Sequence, residues 1–367
     1  MQIALDISQA AYQGTGVGRY TIGLSRALLD LNSPHTIKLC AGTLRRRSVF
    51  LALEKEFGVK INLFPLPPQI FTHITKLPLP LDFLYDNPDL LHTSDWTEPT
   101  TTCPRITTVH DLVFKIYPNT VEEGIRLAQE RRLDKIVKDG TYIIADSAST
   151  KQDLMKYYNL TEDKISIVYP GISSFYKPAE KKEIDRVKTK YHLHSPFLLF
   201  VGTQEPRKNL SRATAAYKKI SHKPGWEDLK LVLVGNVGWG KSFSPTSGVI
   251  SLGYVPDSDL PALYSACSIF LYPSLYEGFG YPVLEAMACG AAVVTSNISS
   301  LPEISGQAAV LVDPKDELDI MSGIIKAFQI KSSLTKLAIT HSSQFSWQNT
   351  AKNLIQIYER ISDAHRA

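Results

Sequence analysis

The chain has 367 residues, of which 44% are hydrophobic and 21% charged, and its formal net charge is +4. This length predicts about two globular domains, and so weak a net charge does not favour a nucleic-acid-binding protein. The four cysteines are scattered without the paired spacing of a zinc or redox site, which is typical of a reducing compartment. No apolar run reaches the ~18 residues of a membrane-spanning helix, and the first residues (MQIALDIS) lack the features of a signal peptide. We therefore expect a cytoplasmic protein.

The chain begins with a predicted strand at Ile3–Ile7, followed by a glycine-rich loop at Gln13–Gly18 (QGTGVG) and a helix over about 19–31. The loop lacks the G-x-G-x-x-G spacing of a dinucleotide site, so NAD binding is not expected. Gly16 and Gly18 allow the backbone to approach a ligand closely. The alternative is a flexible strand-to-helix turn that binds nothing.

Two segments, Leu44–Phe50 (LRRRSVF) and Pro65–Tyr85, combine basic, aromatic, leucine and proline residues. Basic residues interleaved with apolar ones are typical of a segment that rests on an anionic membrane surface. A solvated helix and a proline-rich loop are the alternative. The sequence leaves both interpretations open, with Arg45–Arg47 and Ile70–Tyr85 as the candidate membrane contacts.

A histidine follows one of the next predicted strands. These strands are Leu90–His92, Ile106–Val109, Tyr142–Asp146 and Ile165–Tyr169, with an amphipathic helix at Glu122–Val137. The strand at 106–109 runs directly into His110-Asp111. Because catalytic residues of doubly wound sheets lie just beyond the carboxyl ends of strands, His110 is a candidate site residue. A structural histidine with satisfied hydrogen bonds is the alternative.

The strand pattern begins again after a charged, helix-prone segment at 172–194, which predicts a connection between two domains. A strand at Phe197–Val201 is followed by Gly202–Asn209 (GTQEPRKN) and a helix over about 210–220. Arg207 and Lys208 therefore lie where a helix begins, an arrangement that favours anion binding. A solvated surface pair is the alternative.

Two acidic residues follow the predicted strands Leu231–Gly235 and Ile250–Val255. Asp257-Ser-Asp259 has the D-x-D spacing of a metal site, but it directly precedes an apolar helix at 260–265. Acidic residues are common at helix N-termini, where they cap free N–H groups. Helix capping is therefore the preferred interpretation.

A βαβ unit is predicted over Ile269–Asn297. It consists of a strand at Ile269–Tyr272, a loop containing Gly278 and Gly280, a helix from Pro282 with an apolar face of Val283, Leu284 and Met287, a left-handed helix end at Cys289-Gly290, and a strand at Ala291–Thr295. Glu277 lies in the loop and Glu285 about one turn into the helix. With two glycines and a helix N-terminus between them, these carboxylates suit a phosphate-bearing ligand that has hydroxyls at both ends. The alternative is a surface charge at Glu277 and a solvated helix residue at Glu285.

Glu277–Glu285 (EGFGYPVLE) resembles the E-x7-E motif of the large retaining nucleotide-sugar glycosyltransferase family, glycosyl transferases group 1, which includes sucrose synthases and bacterial mannosyltransferases. The resemblance continues through Ala286–Gly290, the segments 293–296, 301–303 and 312–314, and Gly202–Asn209. In the first half, only the glycine loop and His110-Asp111 match well.

The resemblance implies an α/β fold of GT-B architecture, with two facing Rossmann-like domains, parallel sheets and a deep interdomain cleft. The expected boundaries are 1–172 for an acceptor-side domain, 173–194 for the connection, 195–346 for the donor domain, and 347–367 for a C-terminal helix that packs back toward the first domain.

The resemblance also assigns roles to residues. The implied catalytic residues are His110, Arg207, Lys208 and Glu277. The implied donor-binding residues are Gly16, Gly18, Gly202, Thr203, Arg207, Lys208, Tyr254, Val255, Glu277, Gly278, Phe279, Gly280 and Glu285. Arg207 and Lys208 would bind the diphosphate, Glu277 the transferred sugar and Glu285 the ribose. Because such cations stabilise the leaving group, neither a metal nor another cofactor is expected.

The expected reaction transfers a hexose, in the first place mannose from GDP-mannose, to a hydroxyl of a glycan or lipid-linked acceptor in surface-polysaccharide assembly. UDP-linked glucose, N-acetylglucosamine or galactose are alternative donors. Two other classes of protein remain, a nucleotide-sugar epimerase of similar fold and an inactive nucleotide-sugar-binding protein. The expected partners are the donor, the acceptor and, weakly, an anionic membrane at the inner face of the cell membrane, but no nucleic acid.

Overall fold

The computed structural model describes residues 1–66, 79–96, 98–236, 238 and 247–366. The chain divides into two compact units, of which the first comprises Met1–Gly171 with Phe345–Ala367 and the second Ile172–Gln344. Residues 67–78 of the basic, proline-rich segment predicted above lie outside the described residues.

The strands and helices alternate along most of the chain. The strands are β1 (Gln2–Asp6), β2 (Thr36–Gly42), β3 (Ile61–Phe64), β4 (Leu90–Ser94), β5 (Arg105–Val109), β6 (Tyr142–Ala145), β7 (Ile165–Ile167), β8 (Phe197–Val201), β9 (Lys230–Val234), β10 (Val249–Gly253), β11 (Ile269–Tyr272), β12 (Val293–Ser296) and β13 (Ala309–Val312). The helices are α1 (Gly16–Asp30), α2 (Arg47–Phe57), α3 (Val113–Ile116), α4 (Glu123–Asp139), α5 (Ala148–Tyr158), α6 (Lys181–Lys190), α7 (Leu210–Ser221), α8 (Leu260–Ala266), α9 (Tyr281–Ala288), α10 (Leu301–Ser305), α11 (Glu317–Gln329), α12 (Lys331–Ser342) and α13 (Trp347–Arg366).

Each unit contains one parallel sheet. In the described part of the first unit the strand order is β3-β2-β1-β4-β5-β6-β7, and in that of the second it is β10-β9-β8-β11-β12-β13. The order reverses between β1 and β4 and again between β8 and β11, as in doubly wound nucleotide-binding folds. In such folds ligands bind beyond the carboxyl ends of the strands at the reversal. The loops after β8 and β11 are therefore the expected position of a ligand site in the second unit.

The central strands of the second sheet, β8 and β11, are buried because their side chains are apolar on both faces. Every residue of β8 (FLLFV) and β11 (IFLY) is buried, as expected for parallel strands covered by helices on both sides. Helix α9 adds Val283, Leu284 and Met287, all fully buried, to the interior of the second unit. The predicted apolar face of this helix is thus confirmed, as is its left-handed end, because Gly290 has φ +76°.

Helix α13 belongs to the first unit, where it packs closely on α1. The ring of Trp347 lies so near Gly23 that a Cβ there would approach it to 2.3 Å. Farther along α13, the Tyr358 hydroxyl lies 2.6 Å from Nδ1 of buried His92. Helix α6, from the segment predicted as an interdomain connection, lies within the second unit.

Candidate active site

The loop after β8 carries the two predicted cations on a short 3₁₀ turn, Pro206–Lys208, and α7 begins only after it. The turn ends at Asn209, which has φ +61°. The Asn209 side chain is buried, and its Nδ2 donates to the carbonyl oxygens of Pro273, at 2.9 Å, and Pro314, at 2.6 Å. The bond to Pro273 ties the turn to the loop after β11, so that both loops at the sheet's reversal point are held together. The bond to Pro314 ties the turn to the segment after β13.

Arg207 is held by three acceptors. Its guanidinium donates to the Glu205 carboxylate at 2.5 Å and to the Tyr276 carbonyl oxygen at 2.6 Å. Its Nη1 also lies 2.9 Å from Oε2 of Glu277. The arrangement fixes the guanidinium between one carboxylate of its own loop and another from the loop after β11.

Lys208 reaches the same carboxylate from the other side. Its Nζ lies 2.7 Å from Oε1 of Glu277 and donates to the Tyr272 hydroxyl at 2.5 Å. The Tyr272 hydroxyl in turn donates to Glu277 at 3.0 Å, and the Ser274 hydroxyl donates at 2.6 Å. Gly202 adjoins this group, since a Cβ there would lie 3.9 Å from the Lys208 side chain.

The Glu277 carboxylate is ionised in this setting. Burial alone would raise its pKa, but Arg207 and Lys208 lower the pKa to about 2. Burial and the neighbouring Arg207 also lower the pKa of Lys208 from its ordinary value, although the carboxylates oppose this. With Glu205, the group contains two cations and two carboxylates, and its formal charge without ligand is zero. We call these four residues the charge cluster.

The second motif glutamate is also buried. Glu277 is 6% exposed and Glu285 3% exposed, so the interpretation of either as a solvated surface charge is wrong. The Glu285 carboxylate accepts a hydrogen bond of 2.9 Å from the hydroxyl of Tyr264, which is itself fully buried. A buried carboxylate needs such donors, because its desolvation is costly without them.

The loop between the two glutamates has a fixed backbone. Gly280 precedes α9 with φ +102°, a conformation that favours glycine, and a Cβ there would lie 2.8 Å from a methyl group of Leu301. Phe279 is buried, and its carbonyl oxygen accepts a 2.8 Å bond from the Ser300 hydroxyl. Gly278 lies in the same loop. These predicted donor-binding residues therefore lie next to the charge cluster, because they follow Glu277 directly in sequence.

The remaining predicted donor-binding residues of this unit differ in exposure. Thr203 is exposed beyond the end of β8. Tyr254 is 68% exposed, whereas Val255 is 3% exposed and part of the hydrophobic core. Of these two predicted donor-binding residues, only Tyr254 therefore presents its side chain to solvent.

The capping interpretation of Asp259 is wrong. Its side chain makes no capping hydrogen bond to α8. Its carboxylate instead accepts from Arg186 at 2.7 Å, Lys190 at 2.6 Å and the Tyr191 hydroxyl at 2.6 Å. Burial would raise the pKa of Asp259, but these three donors lower it to about 2. The residue therefore joins α6 to α8 as a structural ion pair.

In the first unit, the glycine-rich segment is partly helical. Helix α1 begins at Gly16, three residues earlier than a loop ending at Gly18 allows. The Thr15 hydroxyl caps the helix by accepting from the Gly18 N–H at 3.0 Å. A Cβ at Gly18 would lie 2.2 Å from the Tyr12 carbonyl oxygen, whereas one at Gly16 would meet nothing within 4 Å. Gly18 is thus required for packing, whereas the space beside the backbone at Gly16 is unoccupied.

His110 follows β5 directly and pairs with Asp146, which follows the adjacent strand β6. His110 Nδ1 lies 2.6 Å from Asp146 Oδ2. The ring of Tyr20 meets the imidazole edge-on at 4.7 Å. Burial would lower the pKa of His110, but the Asp146 carboxylate outweighs it and raises the pKa to about 9. The Asp146 carboxylate therefore favours the protonated imidazolium, although burial also raises the pKa of Asp146.

Sequence reasoning missed four residues that hold these side chains in place: Glu205, Asn209, Tyr272 and Asp146. Asn209 and Glu205 belong to the GTQEPRKN string, and Asp146 is the last residue of a predicted strand, so a signal was present for three of them. A cavity of about 610 Å³ lies at the opposite, amino-terminal edge of the first sheet, lined by residues such as Arg105, Tyr142 and Arg360. None of the predicted site residues lines it. Within the described residues, no helix is both long and apolar enough to span a membrane.

Comparison with solved structures defines the fold class. HepE of Anabaena, in complex with UDP and glucose, superimposes with a TM-score of 0.74 at 16% identity, over 98% of this chain and all of that one. A glycosyltransferase from Rickettsia africae ESF-5 gives a TM-score of 0.72 at 20% identity, over 98% of both chains. At these identities the likeness shows the fold alone. The predicted GT-B fold class is confirmed.

Sequence comparison defines the family. Residues 181–341 match Glycosyl transferases group 1, and residues 14–174 match Glycosyltransferase Family 4. O-antigen chain mannosyltransferase B of Escherichia coli is 29% identical over 98% of this chain and 100% of its own length. Residues 181–341 thus match glycosyl transferases group 1, as the E-x7-E resemblance predicted, and the chain is a glycosyltransferase.

Proposed function

We propose that this protein is a retaining, metal-independent mannosyltransferase that uses a nucleoside diphosphate mannose, in the first place GDP-mannose, and extends a glycan or lipid-linked acceptor in surface-polysaccharide assembly. The relative O-antigen chain mannosyltransferase B, which matches over its full length, supports the choice of mannose. The observation that carries the proposal is the charge cluster of Glu205, Arg207, Lys208 and Glu277 at the carboxyl ends of β8 and β11.

The reaction breaks the bond between the anomeric carbon and the donor's phosphate oxygen, and forms a bond from that carbon to the acceptor oxygen. The acceptor's proton passes to the leaving phosphate on the same face of the sugar, which retains the configuration. Negative charge grows on the diphosphate as the bond breaks. Arg207 and Lys208 stabilise this charge, and donors already fixed in place do so without reorganisation.

Glu277 has two roles in this proposal. Without ligand it neutralises both cations, at 2.9 and 2.7 Å. A bound diphosphate takes over part of that role, which frees carboxylate oxygens to accept from hydroxyls of the transferred sugar. Glu285 is assigned to the ribose and His110 to the sugar or the incoming acceptor. Two fixed cations supply the charge stabilisation that a metal would otherwise give.

Calorimetric titration with GDP, UDP and ADP, in buffer containing EDTA, tests the proposal. GDP is expected to bind most tightly, and Arg207→Ala to weaken its binding at least about tenfold, because a hydrogen bond to a charged group contributes about 1.5–3 kcal/mol. Tighter binding of UDP than of GDP would indicate that the donor is a UDP-linked sugar. Absence of binding to all three nucleotides would contradict the proposal.

We further propose weak attachment to anionic membranes at the inner face of the cell membrane. Leu44 is 57% exposed beside Arg45, and Leu79 and Phe83 are 62% and 64% exposed. Arg46 is engaged elsewhere, since it donates to the Ala11 carbonyl oxygen at 2.9 Å. Flotation with anionic liposomes should show binding that weakens as salt is added. Equal behaviour with anionic and neutral liposomes would contradict it.

A further inference from the structure

We propose that Asp146 is a positioning residue for His110, which it holds as a cationic hydrogen-bond donor whose Nε2–H is directed at an oxygen of the substrate. The inference concerns the first unit and rests on the proposed function only in that His110 meets the substrate. It assigns a role to Asp146 and makes His110 a donor and not a general base.

The geometry fixes which nitrogen carries which proton. An ionised carboxylate only accepts hydrogen bonds, so the 2.6 Å contact with Asp146 Oδ2 requires a proton on Nδ1 of His110. Nε2 is buried and has no hydrogen-bond partner among the described residues. A buried polar atom without a partner is costly, and such atoms mark places where a ligand completes the bonding.

The backbone holds both partners in register. His110 and Asp146 stand directly beyond the paired strands β5 and β6, where Val109 lies opposite Ala145. The Thr150 hydroxyl in α5 donates to the His110 carbonyl oxygen at 3.3 Å. The side chain of Asp146 is 3% exposed and that of His110 13% exposed. Neither group depends on a flexible surface side chain for its position.

The surrounding charges favour the imidazolium. Asp146 after β6 and Asp95 after β4 raise the pKa of His110, whereas burial and Arg132 of α4 lower it. His92 of β4 stays neutral, because burial lowers its pKa to about 3. Tyr20 of α1 contributes a ring edge and no charge. Because Asp146 is the only one of these groups bonded to the ring, it decides the protonation state.

Removing the charge of Asp146 while keeping its shape gives the test. In Asp146→Asn the amide oxygen still accepts from Nδ1, but burial and Arg132 then act on the ring without the carboxylate. We expect the His110 ring to titrate near pH 9 in the wild type, and below its ordinary value of about 6.5 in Asp146→Asn. The measurement is the NMR titration of the imidazole Cε1–H signal, assigned with His110→Gln.

The kinetic readout is the pH profile of kcat/KM. At about pH 8, Asp146→Asn should lose at least roughly thirtyfold in kcat/KM, because less than about 3% of its His110 is protonated there, and activity should recover only as the pH falls below about 6.5. The fall of wild-type kcat/KM at alkaline pH does not by itself identify His110 as the titrating group, because the pKa of Lys208 is lowered too. The shift caused by Asp146→Asn identifies His110.

Asp139→Asn is the matched control. Asp139 precedes β6 at the opposite edge of the same sheet and is paired with Arg105 and Lys135. Its replacement makes the same chemical change in the same unit and should leave the His110 titration and the pH profile unmoved. Asp146→Glu keeps the charge. It should lower kcat but should not shift the alkaline fall in kcat/KM to lower pH.

The outcomes separate this inference from the proposed function. If His110 of the wild type titrates near about 6.5, the inference fails whatever the activity. If the NMR titrations are as expected but the pH profile of Asp146→Asn matches that of the wild type, the positioning role fails. If the titrations are as expected and no nucleotide sugar is a substrate, the dyad stands and the proposed function fails.

Discussion

The Glu277→Gln variant separates the structural role of the charge cluster from its catalytic role. Glutamine keeps the size of the side chain and one acceptor oxygen, but removes the charge opposite Arg207 and Lys208. The pKa of Glu277 falls from its ordinary 4.5 to about 2. Since each unit of pKa corresponds to about 1.4 kcal/mol, the carboxylate contributes about 3 kcal/mol to the free energy of unfolding at neutral pH.

The sign of the pH dependence follows from the lowered pKa. The unfolded chain protonates this carboxyl at a higher pH than the folded chain does, so its contribution is complete above about pH 5 and is lost as the pH falls toward about 2. Denaturant unfolding of wild type and variant should therefore differ by about 3 kcal/mol at pH 7 and progressively less in acid. Glu317→Gln is the control, because Glu317 is 39% exposed beside Lys219, and an exposed pair contributes at most about 1 kcal/mol.

Ligand binding should respond in the opposite direction. Loss of Glu277 changes the formal charge of the cluster from zero to +1, so nucleoside diphosphate affinity should be unchanged or up to about tenfold tighter, a gain of about 1.4 kcal/mol. The kcat should fall by roughly ten- to a hundredfold, since the sugar loses a charged acceptor worth about 1.5–3 kcal/mol. Calorimetry with the nucleotide gives the affinity, and initial rates with the full donor give kcat. Abolished nucleotide binding in a folded variant would refute the reasoning.

Three further predictions concern the rest of the second unit. Turnover should be unaffected by EDTA, because Arg207 and Lys208 supply the positive charge; added manganese should not raise it. Glu285→Gln should weaken nucleoside diphosphate binding by roughly ten- to a hundredfold, with most of the kinetic loss in KM, because the ribose is bound equally in substrate and transition state. Asp259→Asn should lower the free energy of unfolding by about 2 kcal/mol without changing KM, because its pKa of about 2 reflects three donors between α6 and α8.

Each of these has a contradicting result. Activity lost in EDTA and restored by manganese would assign the charge stabilisation to a metal. A Glu285→Gln variant with normal nucleotide binding and reduced kcat would move Glu285 to the sugar. An Asp259→Asn variant of wild-type stability and altered KM would place Asp259 at the substrate.

The second sheet could be predicted from sequence because its strands are uninterrupted apolar runs. The predicted bounds of β8, Phe197–Val201, and of β11, Ile269–Tyr272, match the structure residue for residue. The start of α1 was harder to predict, because two glycines in its first turn favour a loop over a helix. Only the Thr15 cap and the packing of Gly18 on Tyr12 make that turn helical.

The features that sequence reasoning did not find involve partners distant in sequence. Asp259 is bound by Arg186, 73 residues earlier, so no local pattern distinguishes it from a helix cap. Asp146 meets His110 across 36 residues, and only the adjacency of β5 and β6 brings them together. Glu285 is buried although it lies on a short helix, because Tyr264 supplies its hydrogen bond from α8. The residue types were visible in the sequence, but their pairing required the fold.

A transfer assay with GDP-mannose tests the central claim most directly. The wild-type protein, a lipid-linked oligosaccharide acceptor and EDTA are combined, and the product is analysed by mass spectrometry and by NMR of its anomeric proton. We expect one added hexose in the α configuration, with GDP released only when the acceptor is present, and no product from Arg207→Ala. Conversion of GDP-mannose to an epimer without acceptor, or no reaction with any GDP- or UDP-linked sugar, would contradict the account.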